Sequence, residues 1–204
     1  MHIPQGQSQT IELLGFDEAL AASGKSGGYD SEKWLYVPDF YTEYRYVLGT
    51  RGTRSLICAG LNPSTAEPDH LDPTLQSVSR IAAGNGFDSW LMFNVYAQRA
   101  TSPDDMDRTR DEKLHRENLL AFRALLELSA SSGMPPVVWA AWGAVIAKRP
   151  WLKDCVADLV RIAEPFDARW VCAGKITAAG HPHHPLYLRR DEPLRPYDVR
   201  RYLS

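Results

Sequence analysis

Short apolar runs alternate with stretches of helical periodicity along most of the chain. The apolar runs end abruptly in polar or turn-forming residues and cover 44–48, 55–59, 90–95, 137–143 and 169–174. The helical stretches cover 11–22, 75–83, 111–129, 144–148 and 154–163. Continuous apolar runs of this length are typical of strands buried on both faces of a parallel sheet. The alternation therefore predicts an α/β fold, a three-layer α/β/α sandwich with a mostly parallel central sheet.

The length of 204 residues is enough for one good hydrophobic core. We expect a single domain over 1–204, with an N-terminal extension over 1–40 and a core over 44–189. Because turn-forming residues separate 44–48 from 55–59, these two runs are predicted to pair as a hairpin.

Composition and charge narrow the setting of the protein. No apolar run approaches the roughly 20 residues that cross a bilayer, and the N-terminus MHIPQGQSQT lacks a basic region followed by an apolar one. We therefore expect a cytoplasmic protein without a membrane partner. The net charge of -2 argues against a protein whose main task is to hold duplex nucleic acid by its phosphates. Arginines do cluster over 189–201 among acidic residues, so this segment is either a solvated terminus or a phosphate contact.

The three cysteines, Cys58, Cys155 and Cys172, are widely spaced and odd in number. They are therefore expected to form neither a disulfide framework nor a CxxC metal site. Cys58 and Cys172 lie in apolar runs, where a cysteine usually behaves as a small buried hydrophobe. The sequence predicts no cofactor.

The residues that follow each strand are the candidates for chemistry, because open α/β sheets bind ligands beyond the carboxyl ends of their strands. The first such segment is GLNPS, in which Gly60 suits a sharp turn and leaves Asn62 and Ser64 projecting at the strand mouth. Asp72 follows shortly after. Since Asp before Pro73 is also a common helix start, Asp72 either caps a helix or faces the pocket.

Three further candidates follow later strands. Asn94 ends an otherwise apolar run, and its amide can both donate and accept hydrogen bonds, which is what reading a nucleobase edge requires. A structural amide that holds the next loop is the alternative for Asn94. Arg99 is a candidate contact for a phosphate or carboxylate. Trp142 ends an apolar run beside the predicted pocket, where it either contacts the substrate or belongs to the core.

The segment HPHHP places His181, His183 and His184 within four positions. Three clustered histidines raise the question of zinc. Adjacent prolines stiffen this backbone, however, and no nearby cysteine or carboxylate completes a ligand set, so no metal site is predicted. A neutral histidine that donates to an oxyanion, or acts as a general acid, is the favoured interpretation. The sequence leaves open which of the three faces the pocket.

These motifs occur in one order along the chain: GLNPS, WLMFNVYAQRAT, VVWAAWGAVIAKR and HPHHPLYL. The ordered set resembles the uracil-DNA glycosylase superfamily, whose members show a G-x-D/N-P turn, a strand ending in Asn, an apolar strand leading to a W/L-G turn, and a late His-Pro loop. The phrases LNPSTAE, NVYAQRATSP, AWG and HPLYL look more closely like an uncharacterised bacterial and phage family of unknown function that shares this plan. The match spans 44–189.

The resemblance implies a fold of the uracil-DNA glycosylase type and an N-glycosidase that releases a nucleobase from DNA or from a free nucleoside or nucleotide. Asn62 would position or polarise the attacking water, and Asn94 would pair with the base edge. His184 would stabilise the base as it leaves as an anion, and His181 competes for that role. Base flipping would supply access if the substrate were duplex DNA.

The chain departs from the superfamily pattern at two positions. Asn62 stands where the most active uracil glycosylases carry an aspartate, and an amide is no general base. Ser64 stands where the most selective members carry an aromatic residue, and the scattered cysteines do not supply the four ligands of an iron–sulfur cluster.

Two other readings therefore stand beside the glycosidase: a binding module that keeps the pocket without hydrolysis, and a structural domain whose motifs are turns and caps. The base recognised and the oligomeric state stay open.

Overall fold

The computed structural model describes residues 13–25, 27–100 and 102–204. Its helices are Phe16–Ala22 (α1), Pro73–Gly84 (α2), Glu112–Ala130 (α3), Trp151–Ala163 (α4) and Val199–Leu203 (α5). Its strands are Trp34–Val37 (β1), Val47–Thr50 (β2), Ser55–Gly60 (β3), Ser89–Asn94 (β4), Val137–Ala140 (β5), Arg169–Ala173 (β6) and Leu194–Pro196 (β7). Short 3-10 turns lie at Pro103–Asp105, Ala144–Lys148, Glu164–Phe166 and Pro185–Tyr187.

The strands form one mixed sheet of seven strands in the order β1-β2-β4-β3-β5-β6-β7. The central strands β4, β3, β5 and β6 run parallel, and the outer strands pair antiparallel. The predicted α/β class with a parallel centre is thus confirmed. The predicted hairpin is wrong, because β4 inserts between β2 and β3, and β2 pairs with β1 and β4 instead. The apolar side chains of β3, buried along its whole length, take the middle of the sheet.

Apolar side chains fill both faces of the sheet. On one face, Leu91 and Phe93 pack in a core cluster with α1, α3, α4 and α5. On the other face, Trp90 and Met92 pack in a cluster with α2. Successive side chains of a strand point to opposite faces, so strands covered on both sides read as continuous apolar runs. Helices therefore cover both faces, and the elements form three layers.

The sequence marks where α2 and α3 begin. The Asp72 carboxylate accepts a 2.8 Å hydrogen bond from the N–H of Leu75, and Pro73 takes the first helical position, where its missing N–H costs nothing. Asp111 caps α3 in the same way, with the N–H of Leu114 at 2.9 Å. Both helices lie where the periodicity predicts them.

Other elements differ from the prediction. Residues 144–148 form a 3-10 turn, and α4 begins only after Pro150, which has no N–H to continue a helix. The strands β1 and β7 lie at the two edges of the sheet and are too short for a clear periodicity. The predicted helix over 11–22 begins at Phe16, and its first two positions lie outside the described residues.

The chain changes sides of the sheet at its centre. After β3 it crosses one face through α2 to reach β4, whereas after β5 it crosses the other face through α4 to reach β6. Since β3 and β5 are neighbours, the loops 61–72 and 141–150 leave them in opposite directions. Open α/β sheets bind ligands at the carboxyl edge where such loops diverge.

Candidate functional site

Gly60 and Asn94 are the last residues of β3 and β4 and lie side by side in the sheet. A Cβ on Gly60 would stand 2.3 Å from the methyl carbon of Met92 and 3.0 Å from Asn94 Oδ1. Both distances are shorter than ordinary contacts, so a residue without a side chain is what leaves room here. The three residues therefore meet at one point on the face of the sheet that α2 covers.

The Asn94 side chain is fully buried, at 0 % exposure. Among the described residues, neither its Nδ2 nor its Oδ1 has a hydrogen-bond partner. Its backbone carbonyl, in contrast, accepts a 3.0 Å hydrogen bond from Asn118 Nδ2 on α3, which also donates to the carbonyl of Val95 at 3.3 Å. Buried amides nearly always pair, and a buried polar group left unpaired costs about 1–3 kcal/mol. The strand end is thus held in place while the Asn94 side chain presents a donor and an acceptor that no described residue uses.

Asn62 ties the loops after β3 and β4 together. Its Nδ2 donates to the carbonyl of Ala100 at 2.8 Å and to that of Pro63 at 3.2 Å. Backbone hydrogen bonds reinforce this tie, from Val95 to Gly60 at 2.8 Å and from Ala100 to Pro63 at 3.1 Å. Asn62 Oδ1 accepts no hydrogen bond within the described part of the chain. With Nδ2 held, the carbonyl end of this amide has a defined direction.

Asp72 has two roles at once. One carboxylate oxygen caps α2, and the other accepts a hydrogen bond from Ser64 Oγ. Its negative charge also partly offsets the burial that lowers the pKa of Arg45 and of His184, so both side chains lie near this carboxylate. Asp72 is therefore a helix cap that also faces the candidate site.

His184 lies against the loop after β5. Gly143 adopts φ 70° and ψ 177°, and a Cβ there would stand 3.2 Å from His184 Cβ, so glycine permits this close approach. Ser77 Oγ on α2 donates to the carbonyl of Pro185 at 2.8 Å and anchors the segment. The N–H of Leu186 donates to His184 Nδ1 at 3.3 Å, which places the proton of a neutral ring on Nε2.

The His184 ring is held neutral by its surroundings. Burial lowers the pKa of this imidazole, the Asp72 charge opposes the shift, and His183 adds to the lowering. A neutral ring that carries its proton on Nε2 is a hydrogen-bond donor without a net charge. That is the equipment for stabilising an anion that forms during a reaction.

The other two histidines of the cluster lie elsewhere. His181 Nδ1 is 3.2 Å from Tyr202 Oη on α5, on the side of the sheet away from α2. His183 lines a cavity of about 710 Å³ beside β6 and β7, together with Cys172 and Gly174. Of the three histidines, His184 is therefore the one that the fold brings beside Asp72.

Trp142 lies in the core and not at the strand mouth. It is fully buried, and its ring centroid lies 5.7 Å from that of Tyr202 and 6.2 Å from those of Trp170 and Tyr197. These partners belong to the cluster under α4 and α5, across the sheet from Met92. The structure therefore does not bring Trp142 together with Asn94.

Arg99 is buried, at 2 % exposure, and braces the loop that carries Asn62. Its Nη1 donates to the carbonyl of Ser64, and its Nη2 donates to Tyr36 Oη at 3.0 Å. Its guanidinium carbon lies 4.4 Å from the ring centre of Tyr41. Arg99, which the sequence predicts as an anion contact, thus lies next to the turn that follows β3.

Two residues of this region are absent from the motifs read in the sequence. Arg45 is only 1 % exposed, and its Nη1 donates to the carbonyl of Ala66 at 2.8 Å. In the sequence, Arg45 could have been noticed as a charged residue inside the apolar run 44–48. Asn118 is a polar residue on the apolar face of α3, in the helical register of Leu114 and Phe122.

Metal-ligand clusters and membrane-spanning helices are absent from the described residues. Within 13–25, 27–100 and 102–204, no three His, Cys, Asp or Glu side chains converge as metal ligands would. No helix in the same ranges is long and apolar enough to span a membrane. The cysteines are buried free thiols, and burial raises the pKa of each.

Comparison with known proteins identifies the family without assigning an activity. No curated protein and no solved structure matches the chain, and no comparison links it to the uracil-DNA glycosylase superfamily. The family model described as protein of unknown function, DUF1643, matches residues 45–186. That range holds the parallel strands and all of the candidate residues from Arg45 to His184. The chain therefore belongs to the DUF1643 family.

Proposed function

We propose that the protein is an N-glycosidase with a uracil-DNA glycosylase-like fold, which releases a nucleobase from DNA or from a nucleoside or nucleotide. The amide of Asn94, buried and without a hydrogen-bond partner among the described residues, carries the proposal. A nucleobase edge offers a hydrogen-bond donor next to an acceptor, which is the complement of Oδ1 and Nδ2. Binding such an edge would pair two groups that are already removed from water.

The other site residues suit the chemistry of this reaction. Hydrolysis breaks the C1′–N bond, adds a water oxygen to C1′ and returns one proton to the base. The electron pair of the broken bond leaves with the base, so catalysis depends mainly on stabilising an anion. His184 would donate its Nε2 proton in a hydrogen bond to that anion. Asn62, whose Nδ2 is held by the carbonyl of Ala100, would direct Oδ1 toward the attacking water.

Access to Asn94 requires one side chain to move. Met92 occupies the space beside Gly60 and is 4 % exposed. Methionine has an unbranched, flexible side chain, so it can change rotamer when a flat ring enters. We expect the base to displace the Met92 methyl group and to stack over Gly60, where there is no Cβ in the way.

The test is base release, followed by chromatography, from oligonucleotides and from nucleosides and nucleotides that bear uracil, hypoxanthine or modified pyrimidines. We expect Asn94→Ala and His184→Gln to lower the rate of release by about 100-fold or more, as loss of one well-placed donor does in other enzymes. His181→Gln is the matched control and should release base at the wild-type rate. Equal rates in wild type, Asn94→Ala and His184→Gln would contradict the proposal.

A binding module without hydrolysis is the second candidate. One observation favours it: Asn62 is an amide, and its Nδ2 is already committed to two backbone carbonyls. This reading expects a nucleobase ligand to raise the melting temperature by mass action with no base release. The Asn94→Ala variant should then lose the ligand-induced shift, whereas His184→Gln should keep it.

A further inference from the structure

Two arginines are buried together beside the candidate site. Arg45 and Arg99 are 1 % and 2 % exposed. Tyr44 pairs antiparallel with Gln98, so the flanking Arg45 and Arg99 project from the same face of this short ladder as diagonal neighbours. Two positive charges are thus placed side by side in the protein interior.

Neither guanidinium forms an ion pair with a described carboxylate. No carboxylate of the described residues lies within 4.0 Å of either arginine. The hydrogen bonds that Arg45 and Arg99 make go to neutral acceptors: the carbonyls of Ala66 and Ser64 and the hydroxyl of Tyr36. The Nε atoms of both arginines have no hydrogen-bond partner within the described ranges.

Burial and mutual repulsion both act on the charge of Arg45. Burial lowers the pKa of Arg45 to about 9, and the charge of Arg99 contributes to that shift. The Asp72 charge opposes this lowering of the pKa, but the Asp72 carboxylate is already engaged by Ser64 and by the start of α2. Buried charges are normally paired, because removing them from water is costly. An anion that binds here would supply the missing partner.

We propose that Arg45 and Arg99 form a phosphate-binding site next to the base pocket. Guanidinium groups match phosphate oxygens in fork geometry, and two of them balance the double charge of a phosphate monoester. The loop that Arg99 holds at Ser64 also carries Asn62, so a bound phosphate lies beside the base site. The assignment of this phosphate to a nucleotide rests on the proposed function, whereas the anion site itself does not.

The ring of Tyr41 lies between Arg99 and solvent. It stacks on the Arg99 guanidinium at 4.4 Å and is 40 % exposed, so it reaches from this arginine to solvent. A phosphate therefore reaches Arg99 when the Tyr41 ring turns aside. A mononucleotide and the backbone of a single strand both offer this group.

The first experiment uses inorganic phosphate as the probe and the arginine Nε–H signals of the ¹⁵N-labelled protein as the readout. Buried Nε–H groups exchange slowly, so they give resolved signals, and Arg45→Lys and Arg99→Lys each remove one and thereby assign them. We expect both signals to shift and to saturate with phosphate, while chloride at equal ionic strength leaves them unmoved. The titration itself is done on the wild-type protein, so its result does not depend on whether a variant folds. If phosphate moves neither signal, the site is overturned.

The second experiment separates this site from the proposed function. Phosphate affinity should fall roughly tenfold in Arg99→Lys, since lysine lacks the fork, and should stay unchanged in Arg54→Lys, a surface arginine stacked on Phe87. Deoxyuridine 5′-monophosphate should displace phosphate, and deoxyuridine should not. If phosphate binds but the nucleotide binds no more tightly than phosphate, the anion site is upheld and the proposed glycosidase function is contradicted. Tighter binding of a single-stranded oligonucleotide than of the mononucleotide identifies the polymer as the source.

Discussion

Replacing Asn94 by leucine is expected to stabilise the protein while it abolishes ligand binding. Leucine has nearly the shape of asparagine but no polar atoms, so the substitution removes two buried groups that lack partners among the described residues. Each unpaired group costs about 1–3 kcal/mol, and misfit of the branched side chain takes back about 1 kcal/mol or more. The free energy of unfolding should therefore rise by about 1–3 kcal/mol, which raises the melting temperature by roughly 2–4 °C per kcal/mol at this length.

The assay is urea unfolding of three proteins side by side, with base release measured on the same preparations. Asn118→Leu is the matched control. The Nδ2 of this buried amide donates to the carbonyls of Asn94 and Val95, and the substitution removes both hydrogen bonds, although the Asn118 Oδ1 has no partner among the described residues. We expect that control to lose about 1–3 kcal/mol of unfolding free energy. If Asn94→Leu were destabilised as much as Asn118→Leu, the Asn94 amide would be satisfied in the folded protein. The Asn94 amide would then have no need of a ligand.

Three further predictions concern the backbone and the titrating groups around the site. Gly143→Ala should cost about 1–3 kcal/mol of unfolding free energy, because its φ and ψ lie where only glycine is at ease, and urea unfolding measures this. His184 has a lowered pKa when folded, so the unfolded chain binds more protons below its ordinary value of 6.5; stability should fall as pH drops below 6.5, and less steeply in His184→Gln. Asp88 accepts hydrogen bonds from Thr53 and Arg54, which lower its pKa to about 2. Its stabilisation should be present above pH 3.8 and be lost as pH falls toward 2, and Asp88→Asn should show a flatter acid limb in the same titration, with a loss near neutrality of about 1 kcal/mol or less.

The parallel centre of the fold could be predicted because strands that are buried on both faces have continuous apolar sequences. The strands β3, β4, β5 and β6 are apolar at nearly every position, and the caps Asp72 and Asp111 mark the helices between them. The pairing of β2 could not be predicted. Turn residues at 49–53 favour a local hairpin, but they say nothing of β4, which arrives later in the chain and takes the place between β2 and β3. Such a non-local pairing depends on tertiary packing and not on the turn.

The candidate site was partly visible for the same reason. Asn62, Asn94 and Asp72 stand just past or at the ends of strands, and strand ends of one parallel sheet meet at one edge. What the sequence does not contain is the state of each polar atom. The amides of Asn94 and Asn118 look alike in a motif, yet one donates to two carbonyls and the other has no partner among the described residues. That difference depends on which backbone atoms the fold brings within reach.

Several energetically unfavourable features of the structure lie together at this one edge of the sheet. Among the described residues, the Asn94 amide and the Nε atoms of Arg45 and Arg99 have no hydrogen-bond partner, and Gly143 has a backbone conformation that favours glycine. All four residues lie on or beside the loops that diverge from β3 and β5. The hydrogen bonds of Arg45 and Arg99 to loop carbonyls explain part of their presence, but a buried charge is a costly way to hold a loop. A group of unfavourable features in one place is expected at a functional site. The amide and the arginines demand different partners, a polar edge and an anion, and a nucleotide carries both within one molecule.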